Sequence, residues 1–203
     1  MSLPQRHSNA GARDILIGAT FMVVGVSTLP AMNALAKYLT TEVPLSQVVW
    51  ARFLGHLLWM GVLFGPKLGA SLFKTRFPRE QGVRSVVFFV SNLCFISALP
   101  NVELATASAI MFSTPILVVA LSGPMLGESI SLWRWMAVAV GFAGAIVIIG
   151  PYGEFFDPGA AMVLVSAACF AFYQIWTRKL ANRERPETMI VYTSLVGAVA
   201  TTL

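Results

Sequence analysis

Residues 45–64, with the sequence LSQVVWARFLGHLLWMGVLF, decide how the rest of the chain folds. As a helix, these 20 residues would rise about 30 Å, which matches the hydrocarbon thickness of a bilayer. Arg52 and His56 are four residues apart, so a helix places both side chains on one face. Because an arginine that faces lipid costs about 2.5–3.5 kcal/mol on insertion scales, this face is expected to point toward other helices or a water-filled cavity.

The whole chain has the composition of an integral membrane protein. It is 57% hydrophobic and only 11% charged, whereas soluble domains carry about 25% charged residues. The net charge of +5 does not indicate a nucleic-acid partner, because the basic residues sit in short loops between apolar segments. Cys94 and Cys169 both fall in apolar segments, without a C-x-x-C pair or a His/Cys cluster, so we expect no metal, cofactor or disulfide framework.

Hydropathy predicts seven membrane spans. The polar lead of residues 1–14 is expected to be a cytoplasmic segment rather than a signal peptide, because the apolar run after it is longer than a usual signal sequence. Pro30, Pro100 and Pro115 lie in or beside the predicted helices and can kink them. The predicted spans are residues 15–36, 45–64, 83–99, 104–126, 132–150, 159–176 and 189–203.

The charges of the loops predict the orientation of these spans. With the N-terminus in the cytoplasm, twelve lysines and arginines fall on the inner side and only Lys37 on the outer side, while Arg52 stays inside a span. This asymmetry predicts a multi-pass protein of a bacterial cytoplasmic membrane, in contact with the lipid bilayer. The twelve inner residues are Arg6, Arg13, Lys67, Lys74, Arg76, Arg79, Arg84, Arg134, Arg178, Lys179, Arg183 and Arg185.

A weak internal repeat relates the beginning of the chain to its end. Residues 18–39 align with residues 159–180 at a constant offset, which places Asn33 on Gln174. Few positions are identical, so chance is the alternative explanation. Five spans separate the two copies, and an odd number means that the second copy enters the membrane from the opposite face, as in the inverted repeats of many secondary transporters.

The repeat predicts the fold class, which is an all-α membrane protein built as an inverted-repeat helical bundle. Residues 15–150 would form a first unit of five helices, and residues 159–203 would start a second. Two such units contain ten spans, of which this chain holds seven. The 203 residues are therefore expected to be a fragment of a longer protein.

Motifs in a fixed order along residues 15–203 resemble those of one known family. They are Arg52 in the second span, Asn92-x2-Phe95-x2-Ala98-Leu99, Ala105-Thr106-Ala107-Ser108-Ala109, Pro115, Leu126-Gly127-Glu128, Trp135 and Gly141-x2-Gly144. In these positions the chain resembles the EamA-type members of the drug/metabolite transporter superfamily. The resemblance implies ten helices in two inverted five-helix units, a central substrate cavity and alternating access. Because this chain ends in the seventh helix, the transport that the family implies would require two chains to associate as a homodimer.

Arg52 and His56 are candidate substrate-cavity residues. The planar guanidinium of Arg52 matches a carboxylate or phosphate group of a substrate, but the side chain could instead snorkel to the outer surface or bond to backbone carbonyls. His56 could carry a coupling proton, because histidine titrates near physiological pH. The alternative for His56 is a neutral ring that is hydrogen-bonded between helices.

Amide and aromatic residues supply the other cavity candidates. Asn33 and Gln174 occupy matched positions of the repeat, and Asn92 lies in the middle of the third span. These amides could face a substrate, or they could bond helices together at about 0.6 kcal/mol each. Tyr173 lies on a helical stripe of residues and could stack on a planar substrate ring, although such a stripe more often packs helices together.

These features favour a secondary transporter that moves a small polar metabolite across the membrane. One alternative is a non-transporting membrane scaffold or partner subunit, and another is an intramembrane enzyme. The enzyme is disfavoured because the sequence contains no HExxH, GxSxG or Walker motif. The absence of a Walker loop also excludes ATP drive within this chain.

Overall fold

The computed structural model describes residues 12–127, 131–149, 158–181 and 183–202. In these ranges the chain forms helices joined by short turns and no strand, in agreement with an all-α protein. The lead up to residue 11 and Glu128 of the family motifs lie outside the described residues. The elements are α1 (Ala12–Glu42), α2 (Leu45–Leu68), a 3₁₀ helix (Gly69–Phe73), α3 (Pro78–Ala98), α4 (Leu104–Met111), α5 (Thr114–Leu126), α6 (Leu132–Ile149), α7 (Pro158–Leu180) and α8 (Pro186–Thr202).

Five stretches of the described chain are long and apolar enough to cross a membrane, so the protein is a multi-pass membrane protein. The helices α6 and α8 coincide with the two remaining predicted spans, and their crossing of the membrane stays a prediction. The five stretches are Ile15–Glu42, Leu45–Phe73, Pro78–Ala98, Leu104–Leu126 and Pro158–Leu180.

The fourth predicted span is divided into two helices at residues 112–113. The amide of Ser113 donates to the Ile110 carbonyl at 2.9 Å, which is a tightened turn of the 3₁₀ kind. Pro115 then falls in the first turn of α5, where its missing N–H leaves no helix bond unmade. The kink expected at Pro115 is thus observed as a break in the helix, whereas α1 continues through Pro30.

The third helix begins at Pro78, five residues earlier than the predicted start of the third span. Proline suits this first helical position, because the N–H that it lacks would have no partner within the helix. Arg84, which the loop-charge count placed among the inner loop cations, therefore lies within α3. Its side chain is 1% exposed, so Arg84 is not a loop residue, and its place on the inner side of the membrane stays a prediction.

The chain divides into two compact units, Met1–Ala36 and Lys37–Leu203. In the first unit, the described apolar side chains of α1, such as Leu16 and Phe21, are exposed, which suits contact with lipid. In the second unit, α7 packs against α3, α4 and α5, and α8 packs against α2 and α3. The helices of residues 158–202 therefore lie between helices that precede them in the sequence.

Close packing of α8 on α2 depends on Gly197. A Cβ atom at this position would overlap the ring of Phe53, which is itself 1% exposed. The Phe53 ring also lies edge-on to Phe88 of α3, with the ring centroids 6.1 Å apart. Without a hydrophobic force to join helices in lipid, such small-residue contacts are the main way in which membrane helices associate.

Two serines join α3 to α7 through reciprocal hydrogen bonds. Ser91 Oγ donates to the Ser166 carbonyl at 2.9 Å, and Ser166 Oγ donates to the Ser91 carbonyl at 2.8 Å. Both side chains are buried. Because serine is small, the two backbones can approach closely while their polar groups remain hydrogen-bonded.

Candidate functional site

A buried arginine, Arg84, connects three helices of the second unit. Its Nε and Nη2 donate to Gln81 Oε1, one turn earlier on α3, at 3.3 and 3.0 Å. Its Nη1 donates to Thr177 Oγ1 of α7 at 3.2 Å. Its Nη2 also donates to Thr193 Oγ1 of α8 at 2.8 Å and to the Met189 carbonyl. The buried guanidinium therefore donates its hydrogen bonds to neutral oxygen atoms of the protein instead of to water.

Tyr173, a predicted cavity residue, packs against this arginine. The Cζ atom of Arg84 lies 5.1 Å from the centroid of the Tyr173 ring, in the range of a cation–π contact. The same ring lies 4.5 Å from the Phe88 ring and 5.8 Å from the Phe170 ring. These contacts pack α7 against α3, and contact between Tyr173 and a substrate stays a prediction. The Arg84 cluster comprises Gln81, Arg84, Tyr173, Thr177 and Thr193.

The Arg84 cluster is not predicted from the sequence, because a third span that begins at residue 83 leaves Arg84 at its edge. The signal that would reveal the cluster is Pro78, which marks the start of the helix. With α3 beginning there, Gln81, Arg84 and Ser85 share one helix face. On this face, Gln81 Nε2 and Ser85 Oγ are buried and find no hydrogen-bond partner among the described residues, which leaves hydrogen-bonding capacity next to the guanidinium.

Arg52 lies in α2 with one end of its guanidinium unpartnered. Its Nη1 is buried and has no hydrogen-bond partner in the described part of the chain. Val49 and Phe53, which share its side of the helix, are 0% and 1% exposed, so this side of α2 packs against protein. A buried donor without a partner costs about 1–3 kcal/mol. An anionic group that reached Nη1 would recover this free energy through a charge-assisted hydrogen bond.

His56 and Trp50 flank Arg52 along α2. His56 is exposed, so it lies at the edge of the buried side and not within it. Trp50 Nε1 donates to Thr202 Oγ1 at 3.0 Å, which ties the first turns of α2 to the last turn of α8. The side chain of Arg52 is half-buried, while His56 is open to whatever surrounds α2.

The three predicted amides lie on three different helices and differ in burial. Asn92 is buried, and its Nδ2 donates to the Phe88 carbonyl one turn earlier in the same helix, at 3.1 Å. Gln174 is exposed on α7, and Asn33 is half-buried on α1 in the first unit. A role of these amides in binding substrate stays a prediction.

Metal-ligating residues are sparse in the described part of the chain. It contains no group of three His, Cys, Asp or Glu side chains that could hold a metal ion. Cys94 and Cys169 are free thiols, and both are half-buried.

The sequence was compared with models of known protein families. Residues 16–150 match the EamA-like transporter family. The chain belongs to this family. The matched EamA-like region contains Arg52 and Arg84, whereas the Arg84 cluster also draws residues of α7 and α8 from beyond it.

Individual relatives of this chain are named as transporters of different compounds. The chain is 26% identical over 191 residues to an S-adenosylmethionine uptake transporter of Rickettsia bellii, covering 94% of this chain and 65% of the relative. It is 25% identical over 179 residues to a riboflavin transporter of Rhizobium johnstonii, covering 87% and 59%. It is 27% identical over 177 residues to the pseudopaline exporter CntI of Pseudomonas aeruginosa, covering 86% and 61%.

The chain therefore spans a little under two thirds of the length of the curated relatives that it matches. No solved structure matches it.

Proposed function

We propose that this EamA-like chain forms part of a secondary transporter that moves a small polar metabolite across a bacterial cytoplasmic membrane. The protein would work by alternating access, with inverted five-helix units that rock against each other. Its N-terminus would be cytoplasmic, because the loop cations are then on the inner side. The family match and the names of three relatives support a role in transport. These relatives are named as an S-adenosylmethionine uptake transporter, a riboflavin transporter and a pseudopaline exporter.

The observation that carries the proposal is the unpartnered Nη1 of Arg52. A cation inside a membrane-spanning helix is costly, and intramembrane charges are therefore commonly associated with ligand or ion pathways. Arg84 donates to its own helix and to two neighbouring helices, whereas Arg52 retains a buried donor that has no partner in the described chain. We assign Arg52 the role of binding an anionic group of the substrate, such as a carboxylate or phosphate.

His56 would act one helical turn further along the same face of α2. Its exposure leaves the ring accessible to a proton or to a polar substrate group. Asn33, Asn92, Tyr173 and Gln174 remain the other proposed cavity residues. Because this chain holds only part of the relatives' length, substrate passage would require either the rest of a longer protein or a second copy of the chain.

The test is uptake and efflux of labelled S-adenosylmethionine and riboflavin in cells that express the chain, beside Arg52→Ala and His56→Ala. Loss of one charge-assisted hydrogen bond is expected to weaken substrate capture by about tenfold or more for Arg52→Ala. Leu58→Ala is the matched control, because this α2 side chain is 61% exposed and its loss should leave flux unchanged.

Two results would contradict the proposal. In the first, Arg52→Ala and His56→Ala both reach the membrane in normal amount and transport like the parent chain. In the second, none of a metabolite panel shifts the thermal unfolding of the purified chain and no compound is transported, as expected of a scaffold or partner subunit. Cross-linking in membranes, at a cysteine introduced at the exposed Leu58, would test for the homodimer.

A further inference from the structure

A basic cavity lies where α2 is connected to α3 and where α7 is connected to α8. Its volume is about 430 Å³, and its walls come from residues 71–76 and 183–188. These two segments are far apart in the sequence and join the same ends of four neighbouring helices. None of the predicted substrate-cavity residues lines it.

The lining of this cavity is strongly cationic. Lys74, Arg76, Arg183 and Arg185 contribute four positive charges, against one carboxylate from Glu184, so the lining has a net charge of +3. The remaining lining residues are Ser71, Thr75 and Thr188. The Ser71 hydroxyl donates to the Leu68 carbonyl, whereas those of Thr75 and Thr188 can donate hydrogen bonds to an anion. A concave surface with this charge concentrates anions more strongly than isolated surface cations do.

The two walls of the cavity are held together by specific contacts. Glu184 Oε1 accepts a hydrogen bond from the backbone N–H of Arg76 at 2.8 Å. Tyr192 of α8 donates its hydroxyl hydrogen bond to the Phe73 carbonyl at 2.9 Å. Because Glu184 is engaged by the backbone, the side chain of Arg76 keeps its guanidinium for other partners. The cavity is thus a built site rather than a chance gap between loops.

We propose that this cavity binds a phosphate group, supplied either by the headgroup of an anionic phospholipid or by a free phosphate. Arginine forks match the oxygens of phosphate, and lysine adds a point charge. The α8 helix begins at Pro186 beside the cavity, so the positive end of its dipole adds to the same field. Basic pockets at the ends of membrane helices lie at the depth of the lipid headgroups and recognise them in this way.

The test compares the purified chain with a variant that removes two of the four cations, Lys74→Gln with Arg185→Gln. Arg183 is left unchanged, because its guanidinium packs over the Phe77 ring at 6.0 Å. The matched control is Lys67→Gln with Arg79→Gln, which removes two exposed cations outside the cavity. Each protein in neutral detergent receives phosphatidylglycerol, phosphatidylcholine or inorganic phosphate. Native mass spectrometry counts the bound molecules, and thermal unfolding measures the protection.

The expected result is that phosphatidylglycerol binds to and protects the parent chain, while phosphatidylcholine does so far less. The cavity variant should bind phosphatidylglycerol about tenfold more weakly, and the control should bind it as the parent does. If inorganic phosphate protects the parent and the control but phosphatidylglycerol does not, the site exists and its ligand is a free phosphate. Equal weakening in the two double variants, or no protection by either phosphate source, would overturn the proposal. Neither outcome depends on transport, so the proposed function is tested separately.

Discussion

Arg84 and Arg52 are both arginines inside membrane-spanning helices, and their surroundings differ sharply. Arg84 donates to side chains of its own helix and of two neighbours, and it lies over an aromatic ring. Arg52 keeps a buried Nη1 without a partner in the described chain. Burial alone therefore does not identify a functional cation in a membrane. The partners of the guanidinium separate an arginine that holds helices together from one that is available to a ligand.

The largest effect is expected at Arg84. The substitution Arg84→Gln would remove the guanidinium donors to Thr177 Oγ1 and Thr193 Oγ1 and would break the link from α3 to α7 and α8. The free energy of unfolding should fall by about 2–3 kcal/mol, because several buried acceptors lose a charged partner at once. Unfolding in mixed micelles with increasing denaturing detergent measures this change.

Two further variants identify the cause of that loss. Arg79→Gln removes an exposed arginine from the same helix and should change stability little. Arg84→Lys keeps the charge but not the planar fork, so its stability should lie between those of the parent and Arg84→Gln. Equal stability of Arg84→Gln and Arg79→Gln would refute the structural role of the Arg84 cluster.

The second effect is expected where α8 contacts α2. In Gly197→Ala, the new methyl group would overlap the Phe53 ring and force the helices apart, at a cost of about 1–3 kcal/mol. Gly61→Ala is the control, because a Cβ at that position meets no atom within 4 Å. The same detergent titration should show loss only for Gly197→Ala, and Phe53→Leu in the same chain should recover part of it. A neutral Gly197→Ala would mean that the two helices are not in close contact.

Much of this architecture could be predicted from the sequence. Each predicted span coincides with a helix or, for the fourth, with a pair of helices, because a run of apolar residues long enough for a bilayer is a strong local signal. Family membership could be predicted as well, from motifs whose order survives low identity. The spans are predicted from one segment at a time and the family from the order of motifs along the chain, and neither prediction requires knowing which helices touch.

The partners of each side chain could not be predicted in the same way. Hydropathy places the start of α3 too late in the sequence, because the first turns of this helix contain four polar residues. They are Arg79, Glu80, Gln81 and Arg84. From the sequence, the side-chain amide of Asn92 is expected to be available to a substrate, yet it donates a hydrogen bond to a carbonyl of its own helix. The direction of a polar side chain depends on tertiary packing, so a periodic pattern proposes a site without deciding which residues form it.

A smaller effect is expected at the serines between α3 and α7. The variants Ser91→Ala and Ser166→Ala should each lower the free energy of unfolding by about 0.6 kcal/mol, the average for such hydrogen bonds in membranes. Each serine hydroxyl donates to the backbone carbonyl of the other serine, so the double variant measures the coupling between the two hydrogen bonds. Strictly additive losses would show that the two hydrogen bonds are independent, whereas a loss smaller than the sum would show that they form one unit.

The smallest effect on stability is expected at Arg52, and this expectation completes the comparison with Arg84. Arg52→Gln removes a buried charge whose Nη1 gains no hydrogen bond from the described chain, so the lost contacts and the relieved desolvation should nearly cancel. The free energy of unfolding should change by about 0.5 kcal/mol or less. Transport or ligand protection should nevertheless be lost, because the ligand's partner is gone. The same substitution at two arginines of membrane-spanning helices would then lower stability at one and binding at the other. A loss of 2 kcal/mol or so at Arg52, comparable to that at Arg84, would show that Arg52 is also a structural residue.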